Sequence, residues 1–273
     1  MIEVLKKSCL FKYTTVNKNI LNSISEDSLW HANVISLNDP FEFFFKFSAK
    51  LPDSVNELEK LLEDCNYFTK EEREKSQKRA KALALLATHQ EENLRNWVKR
   101  IPSDFKGGLS NLMQNFHVCS LTKAVDEPLM WSHYSNGMRG ICIAYDINQL
   151  EGSNLVFEDV IYEQKTPEYD FFETYKMLNS TDRDELDLGK ILLTKHKGWE
   201  YEQEYRSVRL NKEQDLGFLS QLKRSSIKAV IFGEKISKTD LNLLKLVCRQ
   251  KDIPLLKASA DTESYKVIIN KFA

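Results

Sequence analysis

Glycine and proline are scarce in this chain, nine and six among 273 residues, which leaves little room for long flexible linkers. Net charge is nearly absent as well: 39 Lys and Arg stand against 40 Asp and Glu, a formal -1. So balanced a chain has no global pull toward nucleic acid or an anionic membrane, although local patches remain open to it. No apolar run approaches the ~18 residues of a membrane span, and the N-terminus lacks a signal peptide's order of regions. The five cysteines are an odd number, widely spaced, with no CxxC pair. They read as reduced, mostly buried thiols of a cytoplasmic protein. What is present, 42% hydrophobic and 29% charged residues, suits one elaborated domain or one domain with an insertion.

Along the chain, residues 10–13 read as a first strand, and Asn17 caps a short helix with Ile20, Leu21 and Ile24 at helical spacing. A second strand over 29–35 leads to Asn38-Asp39-Pro40-Phe41-Glu42, a turn in which Pro40 biases Asp39 to an extended conformation. Asn38 and Asp39 there serve equally as Asx-turn residues or as ligand contacts. Residues 52–115 read as helical throughout and form a helical insertion over a β-core. Next come a strand over 116–121, a helix over 128–134 (PLMWSHY), a strand over 141–147 and another over 155–164. Helices follow around 169–178 and 184–197, then an apolar strand over 226–233, a helix capped by Ser237 and two last strands over 253–257 and 264–272. The sum is a single α+β domain over 1–273, with a central, mainly antiparallel or mixed, split sheet flanked by helices.

The chemistry concentrates in residues 195–206, KHKGWEYEQEYR. Read as a strand, this stretch puts Glu202, Glu204 and Arg206 on one face, neighbours roughly 7 Å apart. Paired carboxylates push one pKa up while an adjacent guanidinium pulls one down, which is how acid/base pairs are built. A solvated edge strand with ion pairs is the simpler outcome of the same residues. Trp131, His133 and Tyr134 on one short helix form a polar-aromatic cluster suited to stacking on a flat ring, or equally to core packing.

Taken in order, Leu10-Phe11-Lys12-Tyr13, the Asn-Asp-Pro-Phe-Glu turn, Cys119-Ser120, PLMWSHY with Gly140, and Lys195 with WEYEQEYR resemble domain-of-unknown-function family 2971. That bacterial family is often linked to mobile elements and phage defence, and it often carries a His where this chain has Met138. The resemblance implies a place among defence or toxin effectors, with a partner protein of the defence system. A looser resemblance is to the ADP-ribosyltransferase fold, through the polar-aromatic end of the first strand, Ser120 at a strand end and the late Glu202-x-Glu204. It implies NAD as substrate, with no metal. Glu204 would stabilise the ribosyl cation and Glu202 would orient or deprotonate a protein or nucleic-acid acceptor. Tyr13, Trp131 and Tyr134 would sandwich nicotinamide, and Lys12, Lys195 or Arg206 would hold pyrophosphate. Asn38, Asp39, Ser120 and His133 complete the expected nucleotide site.

Two other classes fit the same residues. A metal-dependent nuclease or phosphodiesterase would use Asp39, Glu42, His133, Glu202 and Glu204. A non-catalytic sensor or antitoxin module would bind a nucleotide in the same cleft.

Overall fold

The structure is a computed structural model. It describes residues 2–37, 39, 41–48, 54–64, 70, 78–87, 113–170, 173–174, 189–211 and 216–272. The chain divides into two units, the first made of Met1–Glu42, Met113–Gln164 and Leu193–Ala273 and the second of Phe43–Leu112 and Lys165–Leu192.

In chain order, α1 (Ile2–Ser8), β1 (Cys9–Thr14), α2 (Lys18–Ser25) and β2 (Ser28–Asn33) open the first unit. The second unit takes β3 (Lys46–Ser48), α3 (Val55–Asp64) and α4 (Lys78–Ala87). The first unit resumes with β4 (Phe116–Thr122), α5 (Pro128–Tyr134), β5 (Ile141–Asp146), α6 (Ile147–Glu151), β6 (Glu158–Asp159) and β7 (Ile161–Glu163). After β8 (Glu168–Asp170) and α7 (Gly189–Leu193) come β9 (Thr194–His196), β10 (Glu204–Leu210), β11 (Gly217–Gln221) and β12 (Ile227–Gly233). Helix α8 (Lys238–Gln250), β13 (Leu255–Ala260) and β14 (Val267–Lys271) close the chain.

The main sheet runs β11-β2-β4-β1-β5-β12-β13-β14, and β10 pairs with β4 and carries β6. Among its described strands only β12 and β13 pair in parallel, so the class is α+β, as the sequence pattern predicts. Alternation sorts the strand residues onto two faces. Leu10, Leu121, Ile143 and Val230 pack with Ile24 of α2 and Leu244 of α8, while Phe11, Tyr13, Cys142 and Ile231 pack with Leu5 of α1 and Trp131 of α5. Both expected caps form: Asn17 Oδ1 accepts from Ile20 N at 3.0 Å, and Ser237 Oγ from Asp240 N at 3.0 Å.

The sheet is split at β4. Along one edge β10 pairs with its whole length. Along the other, β2 lies opposite only His117 and Val118, and β1 opposite only Thr122. Beyond Phe11, β1 leaves β4 while remaining paired to β5 up to Thr14. Ser120 therefore faces a gap between strands, and Lys12 Nζ donates to its carbonyl across that gap at 3.3 Å. A side chain thus replaces a missing ladder bond.

Several elements differ from the sequence reading. The strand over 155–164 is two short ones, because the chain changes partner at Val160, from β10 to β9. The helix expected over 184–197 ends at Leu193, and Lys195 lies on β9, parallel to β7 with Tyr162 as its register partner. Tyr169 sits in a strand, β8, rather than a helix. The strand over 29–35 stops at Asn33, whose Oδ1 accepts from Ile35 N at 3.1 Å and starts a 3-10 turn. Gly140 has the expected close backbone approach: a Cβ there would lie 2.3 Å from the Thr14 carbonyl oxygen.

Within the second unit, α3 and α4 bury Leu58, Leu62 and Ala82, and β3 pairs in parallel with β8. Phe45 packs edge-on against Phe47 at 5.4 Å and against Tyr169 at 5.9 Å. Within 52–115 the described elements are the helices α3 and α4, and residues 88–112 lie outside the described residues. Among the described residues no helix is long and apolar enough to cross a membrane.

Between β2, β4 and β11, His31 and His117 are both fully buried against Phe218. His31 Nδ1 meets Ser220 Oγ at 3.2 Å, while its Nε2 has no partner among the described residues. Burial, reinforced by Lys12 and Arg209, pushes His31 from 6.5 down to about 4. A histidine depressed on folding adds stability that is fully present above pH 6.5 and drains away as pH falls toward 4. That shift is worth about 3 kcal/mol. Urea unfolding between pH 7 and 4 is expected to show this limb in the wild type, and His31→Leu is expected to flatten it.

Candidate functional site

The gap at β4 opens into a cavity of about 200 Å³. Its floor is core: Phe11, Val118, Leu121 and Thr122 are buried. Lys12, Tyr13, Ser120, Met130, Tyr134, Lys195, Glu202 and Glu204 continue the wall, with Glu42, Leu37 and a 41% exposed Trp30.

One wall is a buried ionic cluster. Lys195 Nζ donates to Glu202 Oε2 at 2.7 Å and Glu204 Oε2 at 3.0 Å, and stands 3.4 Å from Glu42 Oε1. Arg206 Nε donates to Glu204 Oε1 at 2.7 Å, and its Nη2 reaches both Glu42 oxygens at 2.8 and 2.9 Å. Tyr134 OH donates to Glu202 Oε1 at 2.6 Å. Three carboxylates thus share two cations, and the surplus negative charge has to fall on one of them.

Local structure explains how residues so close in sequence converge. Lys197–Glu202 is a 3-10 turn, not strand, and Gln203 after it is left-handed at φ 43°. Such a conformation costs a non-glycine residue about 1–3 kcal/mol unless its surroundings hold it. Here Thr122 holds it: its hydroxyl donates to the Glu202 carbonyl and accepts from Ala124 N, and Lys123 N donates to the Gln203 carbonyl at 3.2 Å. Glu204 then opens β10, and Tyr162 OH accepts from its N–H at 2.8 Å. Glu202, Glu204 and Arg206 do meet, although through a kink rather than a continuous strand.

The two central acids are driven apart. Burial would raise Glu204, but Arg206 and Lys195 outweigh it and hold the carboxyl at about 2. Burial also raises Glu202, and there Lys195 and Tyr134 offset it only in part, so its pKa stays above the usual carboxylate range. Burial works against the Lys195 and Arg206 cations, yet the neighbouring carboxylates keep both firmly protonated. Tyr134 is pushed upward by burial and by its bond to Glu202, and so remains a donor. Opposed shifts on adjacent carboxylates are the usual mark of an acid/base pair.

Most of the cluster lies in a stretch that matches a sequence family. Residues 130–207 match the model of DUF2971, a protein family of unknown function. The matched stretch holds Tyr134, Lys195, Glu202 and Glu204 of the cavity wall and Arg206 behind them, whereas Lys12, Glu42 and Ser120 of that wall lie outside it. No curated protein and no solved structure matches the chain.

Of the other residues expected at the site, Tyr13 lines the cavity, and its hydroxyl donates to the Ala124 carbonyl at 2.7 Å. Trp131 does not line it. It is fully buried behind Tyr13, edge-on at 5.1 Å, with Nε1 donating to the Val125 carbonyl at 2.9 Å. Helical spacing explains this, since Met130 and Tyr134 share the cavity face of α5 and Trp131 is turned to the core. His133 is exposed and meets Tyr201 OH at 3.1 Å. Asp39 forms the Asx turn, accepting from Phe41 N at 2.9 Å, and Asn38 lies outside the described residues. Asp39 and His133 are absent from the cavity wall that holds Glu42, Glu202 and Glu204, so the five residues of a metal-dependent nuclease do not meet there. Met138 is buried under α5 and does not line the cavity either.

The main residue that sequence reasoning left out of the nucleotide site is Glu42. It is 164 positions from Arg206, and its only local signal is the turn before it. Thr122, Tyr162 and Trp30 carry no local signal at all.

Proposed function

We propose that this chain is an NAD-consuming enzyme of the ADP-ribosyltransferase type, breaking the bond between nicotinamide and ribose at Glu202. The observation that carries this reading is the pair Glu202 and Glu204, shifted in opposite directions on the wall of a cavity in a split sheet. A cavity of about 200 Å³ is smaller than the ~300–1,000 Å³ of whole-ligand pockets. It suits one ring with its ribose, not a complete dinucleotide. Tyr13, Tyr134 and Met130 offer apolar surface to such a ring. Lys12 lies on the same wall with only the Ser120 carbonyl and the Cys119 thiol as partners among the described residues, and it is the cation offered to a phosphate.

In this reading the cation-stabilising role expected of Glu204 passes to Glu202. Both Glu204 oxygens are held by Arg206 and Lys195, so its charge is neutralised within the protein and it acts as a positioning residue. Each Glu202 oxygen takes a single bond, from Tyr134 or from Lys195. Glu202 therefore keeps lone pairs for the substrate and is the acid that faces developing positive charge. The described cysteines are all buried free thiols, which supports a reducing, cytoplasmic setting.

Thermal or chemical unfolding with added ligand tests the reading. NAD at a hundredfold its dissociation constant is expected to add about 2.7 kcal/mol of stability. Stabilisation by Mg²⁺ or Mn²⁺ with none by NAD would sink it in favour of metal-dependent phosphodiester chemistry.

A further inference from the structure

We infer that the acceptor at this site is water, so that the chain releases free ADP-ribose and leaves protein and nucleic acid unmodified. This rests on the NAD-consuming reading and deepens it by naming the second substrate. Whatever attacks the ribose must lose a proton, and the base that takes it must come within hydrogen-bond reach, about 2.6–3.2 Å. Glu202 is the base available, and it is only 3% exposed.

Its two oxygens lie between Tyr134 and Lys195, and the cavity it lines is floored by Phe11, Leu121 and Thr122, all buried. A volume of about 200 Å³ lies below the ~300–1,000 Å³ of whole-ligand pockets. A nicotinamide ring with its ribose takes most of it. A protein side chain or a nucleobase would have to pass alongside the bound ring and ribose to reach a carboxylate that is only 3% exposed. A water molecule needs no such path.

The step balances without any further reactant. The bond from ribose C1′ to the nicotinamide nitrogen breaks, and its electron pair leaves on nicotinamide. The water oxygen bonds to C1′, and its proton passes to a free lone pair of Glu202 and then to solvent. Tyr134 and Lys195 keep Glu202 oriented throughout. The raised pKa of Glu202 makes it a stronger base than an ordinary carboxylate, in keeping with that role.

The test uses the full chain and NAD labelled on its adenylate half, alone and with a bacterial cell extract as a source of acceptors. Nicotinamide release and the fate of the label are both followed. Water as acceptor requires nicotinamide release at the same rate with and without extract, with all label recovered as soluble ADP-ribose. Added methanol should divert part of the label to the methyl glycoside, because so small an alcohol fits where water does. Nicotinamide release that depends on extract, or label carried by macromolecules, would overturn the water assignment and leave the NAD reading standing. No nicotinamide release under either condition would overturn both.

Discussion

Arg206→Met is expected to lower the free energy of unfolding by about 3–5 kcal/mol, the usual cost of removing one partner from a buried ion pair. Arg206 is 1% exposed and binds Glu204 and Glu42 together. Without it, three buried carboxylates are left with Lys195 as their only cation among the described residues. A domain holds about 5–15 kcal/mol in total, so the variant is expected to be marginal. Urea unfolding with an unchanged slope would show that the loss is one of stability rather than of compactness.

The pH dependence should also change in a defined direction. In the wild type Glu204 is held at about 2, below its unfolded value. Its contribution is therefore present above pH 4.5 and is lost as pH falls toward 2. In the variant only Lys195 is left to oppose burial, so Glu204 is held less low. The deficit relative to wild type should then shrink on acidification, as the buried carboxyl takes up a proton. Arg206→Lys should not restore stability fully, because an ammonium cannot span two carboxylates as a planar guanidinium does.

Glu202→Gln and Glu204→Gln are expected to separate chemistry from stability. Glu202→Gln keeps shape and the bond from Tyr134, and it leaves Lys195 with Glu204 and Glu42. It should fold nearly as well as the wild type while losing about 10²–10³ in turnover, or 2.7–4 kcal/mol of transition-state stabilisation. Glu204→Gln removes the carboxylate that Arg206 and Lys195 share. It should lose stability first and turnover through displacement of Lys195 and Glu202. Unfolding midpoints and nicotinamide release on the same preparations distinguish the two. Equal loss of turnover at unchanged stability in both variants would mean that Glu204 touches substrate.

Much of this site is legible in the order of residues, because its parts lie in short motifs. The caps Asn17 and Ser237, the helix opened by Pro128 and the acid pair in 195–206 all follow from local spacing. Alternation brings Glu202 to Arg206 for a reason that is only partly right, since a left-handed Gln203 clamped by Thr122 does the work of the missing strand. Long-range pairing has no local signature. Neither the gap beside Ser120 nor the arrival of Glu42 can be read from neighbours along the chain, because both depend on strands far apart in sequence. Trp131 is the converse case. Its composition fits a ring-binding wall, and only the rotation of α5 turns it into core behind Tyr13.

Cleavage of NAD by the buried acid cluster beside the sheet gap, as proposed, can be measured without knowing the acceptor. The most direct measurement is nicotinamide release from NAD by the purified wild-type chain, run beside Glu202→Gln. Steady release by the wild type, abolished in a Glu202→Gln protein with an unchanged unfolding midpoint, is the expected result. Equal release by the two proteins, or a wild type that leaves NAD intact yet cuts nucleic acid once Mg²⁺ or Mn²⁺ is added, would contradict it.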